Sequence, residues 1–361
     1  MLSDNRIISV RQAKRLFLLD GFFMTTFILP HFLLGEVGRD GILIYIFAAV
    51  LIVLFLCLTM WTLSEIKTDF ISYIKKNFGG FLSVALGVLL LLQYYLTGMM
   101  ILSLLGNLVG ETLLKGNSYW MVFVIGAVAV WSVFHGMESR ARQGSVLVCI
   151  VLVTFLFMVL FSVKGIQIER ISPLCISSIK KLRNSTYDTV GICAMISMSF
   201  LCVPCMKENG KKSIVVAVTS AAFLGVILFA MIIGGMGVDA ARTARFPGLQ
   251  LMTTARFPGG FIKRCDGFMI ISWLFAGLVM LGGCFLYEGL LLEQVTERKK
   301  YPLYLCIMAG ITYISVILAG DYEAVFWLYK LYMCYIGVPV IGITLLMLIY
   351  CKLRGKRKEK H

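Results

Sequence analysis

Two of the eleven cysteines, by their spacing, and the three histidines are the first candidates for metal or redox chemistry in this chain. Cys202 and Cys205 have the C-x-x-C spacing of redox and metal sites, but they lie in an apolar segment with Pro204 between them and no second ligand pair. The histidines do not cluster with carboxylates at ligand spacing; they are His31, His135 and His361. No Ser-His-Asp set, phosphate-binding glycine loop or catalytic carboxylate pair can be assembled from the other residues. The sequence therefore predicts no enzyme, no metal site and no cofactor.

Three ionisable residues lie inside apolar segments, where charge is costly. Asp20 is in the first segment, Glu288 in the eighth and Lys330 in the last. Ionisable groups at membrane depth usually face a cavity or pair with each other. Asp20 also lies about one turn from Arg15, and the long stem of Lys330 can carry its charge to the membrane surface. We treat the three as candidate relay or cavity charges, with Tyr287 beside Glu288.

Residues that interrupt or bend helices occur in two of the apolar segments. The first segment contains Gly21, Thr25, Thr26 and Pro30, and the sixth, which is unusually short, contains Ser197, Ser199 and Pro204. In lipid, interrupted backbone is tolerated only where the freed groups find partners or line a cavity. Paired interruptions at matching places in two halves are typical of transporters with inverted repeats, which bind their ligand between half-helices at the membrane midplane. A proline kink with only a packing role is the alternative interpretation.

The elements that must position these residues are membrane-spanning helices. Apolar residues make up 59% of the 361-residue chain and charged residues only 15%, and stretches of about 18 or more apolar residues can cross a bilayer. The predicted spans are 16–34, 41–61, 81–101 with an extension to 109, 119–134, 144–163, 190–206, 213–238, 267–291, 302–318 and 324–350. The sequence predicts one all-α membrane domain over 1–361, with repeat one at about 8–163, repeat two at about 190–318, final spans to 350 and a basic tail at 351–361.

The distribution of positive charge predicts how the chain is oriented. Most of the 34 Lys and Arg residues fall on one side of the ten predicted spans, in short loops and at both ends, and Arg140 and Arg142 are counted among them. Positively charged short loops stay in the cytoplasm, so both termini are predicted to be cytoplasmic. The net charge of +15 is explained by these clusters, and no basic recognition module is left for nucleic acid.

Two longer loops, at 164–189 and 239–266, are predicted on the outer side. The second loop contains the repeated hexapeptide TARFPG at 243–248 and again at 254–259. A Pro-Gly pair ends a helix. We interpret the repeats as short helices or turns on the membrane surface, with Arg245 and Arg256 directed at headgroups.

Several short motifs, in order along nearly the whole chain, resemble one family of membrane proteins. They are ISVRQ at 8–12, LP at 29–30, RDG at 39–41, FGG at 78–80, HGMESRAR at 135–142 and GFIKRCD at 260–266, the last followed by Trp273. With ten spans, this string resembles the permease-like B subunits of spore germinant receptors, within the amino acid, polyamine and organocation transporter group.

The resemblance implies a small-molecule sensor with a 5+5 inverted-repeat permease fold, in which spans 1 and 6 are broken. An L-amino acid or similar germinant would bind between spans 1, 3, 6 and 8, and the signal would pass to an A-type membrane subunit and a C-type lipoprotein. On spans 3 and 8 the candidate ligand-binding residues are Tyr94, Cys284 and Tyr287, which add to those of spans 1 and 6. A proton-coupled amino-acid transporter, with Asp20 or Glu288 as the relay, is the alternative function, since one fold can serve both.

Overall fold

The computed structural model describes residues 7–63, 66, 69–114, 119–172, 178–193, 195–207, 210–254 and 266–358. In these residues the chain is almost entirely helical, and the β pairing consists of one isolated parallel bridge between Ile8 and Met206. The second hexapeptide repeat after Thr254 and the motif at 260–265 lie outside the described residues. The predicted all-α class is confirmed.

The described residues form sixteen α-helices. They are α1 (Val10–Phe23), α2 (Leu29–Glu36), α3 (Gly41–Leu63), α4 (Phe70–Phe78), α5 (Gly80–Val109), α6 (Tyr119–Val133), α7 (Met137–Ser162), α8 (Ile179–Ile192), α9 (Met195–Cys202), α10 (Lys211–Met236), α11 (Val238–Thr243), α12 (Pro247–Thr254), α13 (Asp266–Thr296), α14 (Tyr301–Ala319), α15 (Tyr322–Tyr332) and α16 (Val338–Lys358). Short π-helical segments join α1 to α2 and α15 to α16.

Among the described residues, nine stretches are long and apolar enough to cross a membrane, and α6 is a shorter apolar helix. In chain order, numbered 1 to 10 below, the ten are Val10–Glu36, Gly38–Leu63, Gly80–Thr112, Tyr119–Val133, Met137–Ser162, Ile179–Cys205, Lys211–Met236, Asp266–Thr296, Tyr301–Ala319 and Tyr322–Arg354. Span 4 is roughly 22 Å long, and Trp120 and Trp131 are exposed near its two ends, as expected for residues at membrane interfaces.

Spans 1 and 8 are the most enclosed parts of the bundle. In their most apolar windows 89% and 83% of the residues are buried, against 22% in span 9. Span 8 packs against spans 3 and 5, and span 1 packs against spans 5 and 7. Polar groups on spans 1 and 8 therefore meet other protein groups rather than lipid.

Span 6 differs from the prediction at both its start and its interruption. It begins at Ile179 rather than near residue 190, because its first turns are polar and give no hydropathy signal, while Ser185, Thr186 and Thr189 are buried against the bundle. The prediction of an outer loop at 164–189 was therefore wrong for residues 179–189, which belong to the helix. The helix is interrupted at Cys193, whose φ of −76° and ψ of 61° are not helical.

Candidate functional site

The interruption in span 1 is a π-helical segment, Met24–Ile28, immediately before Pro30. The amide of Leu29 donates to the carbonyl of Met24, five residues back. Proline has no amide hydrogen to continue this pattern, so the carbonyl of Thr25 takes no helical bond from residue 30. The hydroxyl of Tyr45 on span 2 donates to this carbonyl at 2.9 Å. The proline therefore leaves the carbonyl of Thr25 able to accept a hydrogen bond from another span.

The two threonines of this segment join span 1 to its neighbours. Oγ1 of Thr25 lies 2.7 Å from the carbonyl oxygen of Gly21 and 2.9 Å from that of Ala221 on span 7. Oγ1 of Thr26 donates to its own helix and accepts from Nε1 of Trp273 on span 8 at 3.2 Å. Both side chains are therefore already engaged with protein groups.

The interruption in span 6 also exposes main-chain carbonyls. The carbonyl of Ile192, the last residue of α8, accepts from the hydroxyl of Tyr329 on span 10 at 2.6 Å. The carbonyl of Ser197 accepts from the hydroxyl of Tyr94 on span 3 at 2.7 Å. Oγ of Ser197 also lies 3.0 Å from Nε2 of Gln93, and Ser199 is buried nearby in the same helix.

A buried ion pair lies beside these groups, and sequence reasoning missed half of it. The guanidinium of Arg140 binds both carboxylate oxygens of Asp20, at 2.7 and 2.8 Å, and neither side chain is more than 4% exposed. The same guanidinium donates to the hydroxyl of Tyr287 at 2.9 Å and to the carbonyl of Val279 at 3.2 Å. The space it occupies is left by Gly283, where a β-carbon would overlap the guanidinium.

The placement of Arg140 corrects the sequence analysis, which assigned it to a cytoplasmic loop. Its helix, α7, begins at Met137, earlier than predicted, so Arg140 lies in the first turn inside the bundle. The partner of Asp20 is therefore Arg140, not the nearby Arg15. An acidic residue at membrane depth calls for a basic partner, and HGMESRAR is the motif that supplies it.

The ion pair and the span 6 interruption are connected through two tyrosines. The rings of Tyr287 and Tyr94 lie 5.4 Å apart. Arg140 therefore contacts the first ring, and the second reaches the carbonyl of Ser197. On span 8, Cys284 and Glu288 are fully buried on either side of Tyr287, and neither carboxylate oxygen of Glu288 has a hydrogen-bond partner in the described residues. Spans 1, 3, 5, 6 and 8 meet in this cluster.

Three predicted residues lie away from the cluster. Lys330 is in the first half of span 10, where its ammonium is 2.7 Å from Glu36 and 3.9 Å from Asp188. Pro204 is in the turn that ends span 6 and contributes to a small space near Phe70. Pro30 lines a separate small cavity on the other side of the bundle.

That cavity has a volume of about 10 Å³, which is the room for about one water molecule. Its wall includes Phe27, whose ring centroid is 4.4 Å from that of Trp273 and 5.7 Å from that of Phe246. Arg245, in the first TARFPG repeat, forms an ion pair with Glu111 and stacks on another ring of the wall. These contacts separate the central cluster from the end of the bundle where span 1 finishes.

At the opposite end, the start of the chain covers the end of span 6. The amide of Ile8 donates to the carbonyl of Cys205 at 2.9 Å, and the amide of Lys207 donates to the carbonyl of Ile8 at 3.1 Å. The cluster is thus enclosed from both ends. No group of three or more His, Cys, Asp or Glu side chains with metal-ligand geometry occurs in the described part of the chain.

In the described residues, an all-helical bundle of ten apolar spans, with polar groups gathered at interruptions in spans 1 and 6, has the architecture of membrane transporters. Solved structures of other proteins share this fold. The chain aligns with a Na⁺-coupled sialic acid symporter (TM-score 0.70, 12% identity, 94% of this chain and 79% of that one) and with MhsT in complex with L-phenylalanine (TM-score 0.68, 14% identity, 92% and 88%). These neighbours are transporters with inverted repeats, and the predicted fold is confirmed.

The family is given by sequence comparison. The family model described as spore germination protein matches residues 11–324, so the chain belongs to the spore germination permease family. Spore germination protein YndE of Bacillus subtilis (strain 168) is 24% identical over 301 residues, which are 81% of each chain. Spore germination protein B2 of the same organism is 25% identical over 229 residues, which are 62% of each chain. The resemblance inferred from the motif string is confirmed.

Proposed function

We propose that this chain is the ligand-binding permease subunit of a spore germinant receptor. An amino acid or similar small germinant binds between spans 1, 3, 6 and 8, and the resulting change passes to an A-type membrane subunit and a C-type lipoprotein. The family and the transporter fold support this function. The chain acts here as a sensor, without chemical conversion of the ligand.

The observation that carries the proposal is the state of three main-chain carbonyls at or near the interruptions. Those of Thr25, Ile192 and Ser197 accept bonds from tyrosine hydroxyls of other spans. A hydroxyl is a replaceable donor, since an ammonium group can offer up to three hydrogens to such acceptors. A germinant with an amino group would bind by displacing one or more of these tyrosines. Interrupted helices that present free main-chain groups at the midplane are the usual ligand site of this architecture.

The experiment uses spores that carry single variants on spans 3, 6 and 8. Tyr94→Phe, Ser199→Ala and Tyr287→Phe each remove one hydroxyl from the cluster. One hydrogen bond contributes about 0.5–1.5 kcal/mol, so we expect the germinant concentration for half-maximal germination to shift about 2- to 10-fold. Counting germinated spores against germinant concentration measures the shift, and immunoblots of spore membranes check that each variant is inserted.

A matched control is available one residue along the same helix. The hydroxyl of Tyr95 bonds Oγ of Ser315 on span 9 at 2.5 Å, away from the cluster. Tyr95→Phe should therefore keep the wild-type dose curve. Wild-type curves for all three site variants would remove the proposed site.

A proton-coupled amino-acid transporter is the second candidate. It is favoured by the solute transporters that share the fold, one of them in complex with L-phenylalanine. Uptake of labelled amino acids into proteoliposomes of the purified chain separates the two functions. Saturable, gradient-driven accumulation would favour transport, whereas binding without accumulation would favour the receptor. Flanking genes for a large membrane subunit and a lipoprotein would also support the receptor.

A further inference from the structure

Glu288 is a buried acid that has no charge partner in the part of the chain that the structure describes. Its side chain is 0% exposed on span 8, and both carboxylate oxygens lack a hydrogen-bond donor among the described residues. Asp20, the other fully enclosed acid of this region, has the guanidinium of Arg140. An ionised carboxylate with neither water nor a donor is strongly disfavoured, and such a group is held in its neutral form instead.

The packing around this carboxyl group leaves little room for a larger ligand. A β-carbon placed on Gly98 of span 3 would lie 3.5 Å from Oε1 of Glu288 and 3.4 Å from Cβ of Cys284. The gap between spans 3 and 8 on that side of the carboxyl group is therefore about the size of one methyl group. A proton binds there without displacing any protein atom.

Titratable and charged groups on the surrounding helices are directed elsewhere. From span 3, Tyr94 donates to the carbonyl of Ser197. From span 9, Tyr301 donates to the carbonyl of Val133. From span 5, Arg140 is held by its acid partner on span 1 and by Tyr287. Cys284, one turn away on the same helix, is a neutral thiol that supplies no positive charge.

We propose that Glu288 is a proton-binding site, which the enclosed form of the protein holds as a neutral acid. The proton leaves when the contact between spans 3 and 8 opens, because the acid O–H bond can then break and transfer its proton to an entering water. The enclosed form thus binds one proton more than the hydrated form. Raising the pH favours the hydrated form and lowering it favours the enclosed form. The inference does not depend on which germinant binds or on whether solute is moved.

Infrared spectroscopy of the purified wild-type protein in lipid nanodiscs tests the protonation directly. A protonated carboxylic acid has a carbonyl stretch that an ionised carboxylate lacks. With ¹³C-carboxyl glutamate incorporated, we expect an acid band at neutral pH that shifts with the isotope, which assigns it to glutamate rather than aspartate. A slow shift of this band after transfer to D₂O would show that the acid group is buried. Absence of the band would overturn the proposal.

Substitution assigns the band to one residue. Glu288→Gln should remove the acid band without removing carboxylate absorption. Glu297→Gln is the control, because the hydrogen bond and charge of Lys75 hold the pKa of the Glu297 carboxyl below its usual range, and this variant should lose carboxylate absorption and keep the acid band. An acid band that persists in Glu288→Gln would assign the proton elsewhere and overturn the site.

Labelling of Cys284 tests the link to opening. The rate at which a membrane-permeant thiol reagent modifies Cys284 is followed by peptide mass spectrometry in the wild type and in Glu288→Gln. An ionised Glu288 would disfavour the neighbouring Cys284 thiolate by like charge, so this effect lowers the wild-type rate and only opening of the contact raises it. We expect the ratio of wild-type to variant rates to rise with pH, and a ratio that is constant with pH would overturn the coupling.

Discussion

Asp20 and Arg140 lie opposite each other inside the bundle, and each satisfies the charge of the other. Nη2 of Arg140 donates to both carboxylate oxygens, and the other guanidinium nitrogens have two further acceptors, so its donors are used in a fixed arrangement. A buried ion pair adds little stability over apolar residues of the same volume, but removal of one partner leaves an uncompensated charge. Removal of one partner should therefore destabilise the protein, whereas replacement of both partners by apolar residues should not.

We expect Asp20→Asn to destabilise the protein by about 3–5 kcal/mol, because Arg140 keeps its charge and loses its counter-ion. The double variant Asp20→Leu with Arg140→Met should recover most of that loss. Thermal unfolding in detergent, followed by size-exclusion chromatography with fluorescence detection, compares the variants. Glu138→Gln, which removes an exposed pair with Arg142, is the control and should change the unfolding temperature little. Equal losses for the single and double variants would contradict the account.

At the scale of single residues, some members of the cluster could be predicted from the sequence. Asp20, Tyr94, Ser197 and Tyr287 were predicted from their depth or their span, and the structure brings them into one connected group. Arg140 was missed because a basic residue at the end of a span is also typical of topology signals. Partners such as Tyr45 and Tyr329 have no sequence signal, because a tyrosine hydroxyl that bonds another span's carbonyl is set by tertiary packing alone.

Among the elements, the close approach of span 7 to the π-helical segment of span 1 is decisive for the site. A β-carbon at Gly225 would lie 2.6 Å from Cβ and 2.9 Å from the carbonyl oxygen of Thr25. Since these are less than van der Waals distances, only glycine lets the two spans meet as they do. The crossing also brings span 7 within reach of the Thr25 hydroxyl.

Gly225→Ala should therefore push span 7 away from span 1. We expect a loss of about 1–3 kcal/mol of stability, the usual cost of overpacking, and a weaker germination response because the Thr25 carbonyl is displaced. Gly342→Ala, on span 10 with open space around the position, is the matched control. Thermal unfolding and germination dose curves measure the two effects. A Gly225→Ala protein as stable and responsive as the control would show that the crossing is not tight.

The sequence located these elements better than it located their breaks. Proline at residue 30 predicted the interruption of span 1, because its missing amide frees a carbonyl one turn before it. Pro204 gave the wrong place for span 6, where the backbone departs from helical geometry at Cys193. The break at Cys193 contains no proline; Gly191 lies two residues before it, and the hydroxyl of Tyr329 on span 10 bonds the carbonyl of Ile192.

For the whole molecule, the remaining prediction concerns its orientation in the membrane. Arg140 no longer counts toward the cytoplasmic side, since it is buried and paired, yet the exposed basic residues near the same side remain. They include Lys14, Arg15, Lys75, Lys76, Arg142, Lys212, Arg298, Lys299 and Lys300. Since positively charged segments resist crossing the membrane, both termini are expected in the cytoplasm, and the segment between spans 5 and 6 on the outer side.

Reporter fusions measure this orientation. Alkaline phosphatase folds only outside the cytoplasm, so a fusion after Gly165, which follows span 5, should be active, and a fusion after Arg354 should be inactive. Green fluorescent protein at the same two positions should give the reverse pattern, which controls for expression. Activity of the phosphatase at Arg354 together with fluorescence at Gly165 would place both ends outside. The enclosed ends of the bundle would then exchange sides, and the cavity beside Phe27 would face the cytoplasm instead of the outer surface.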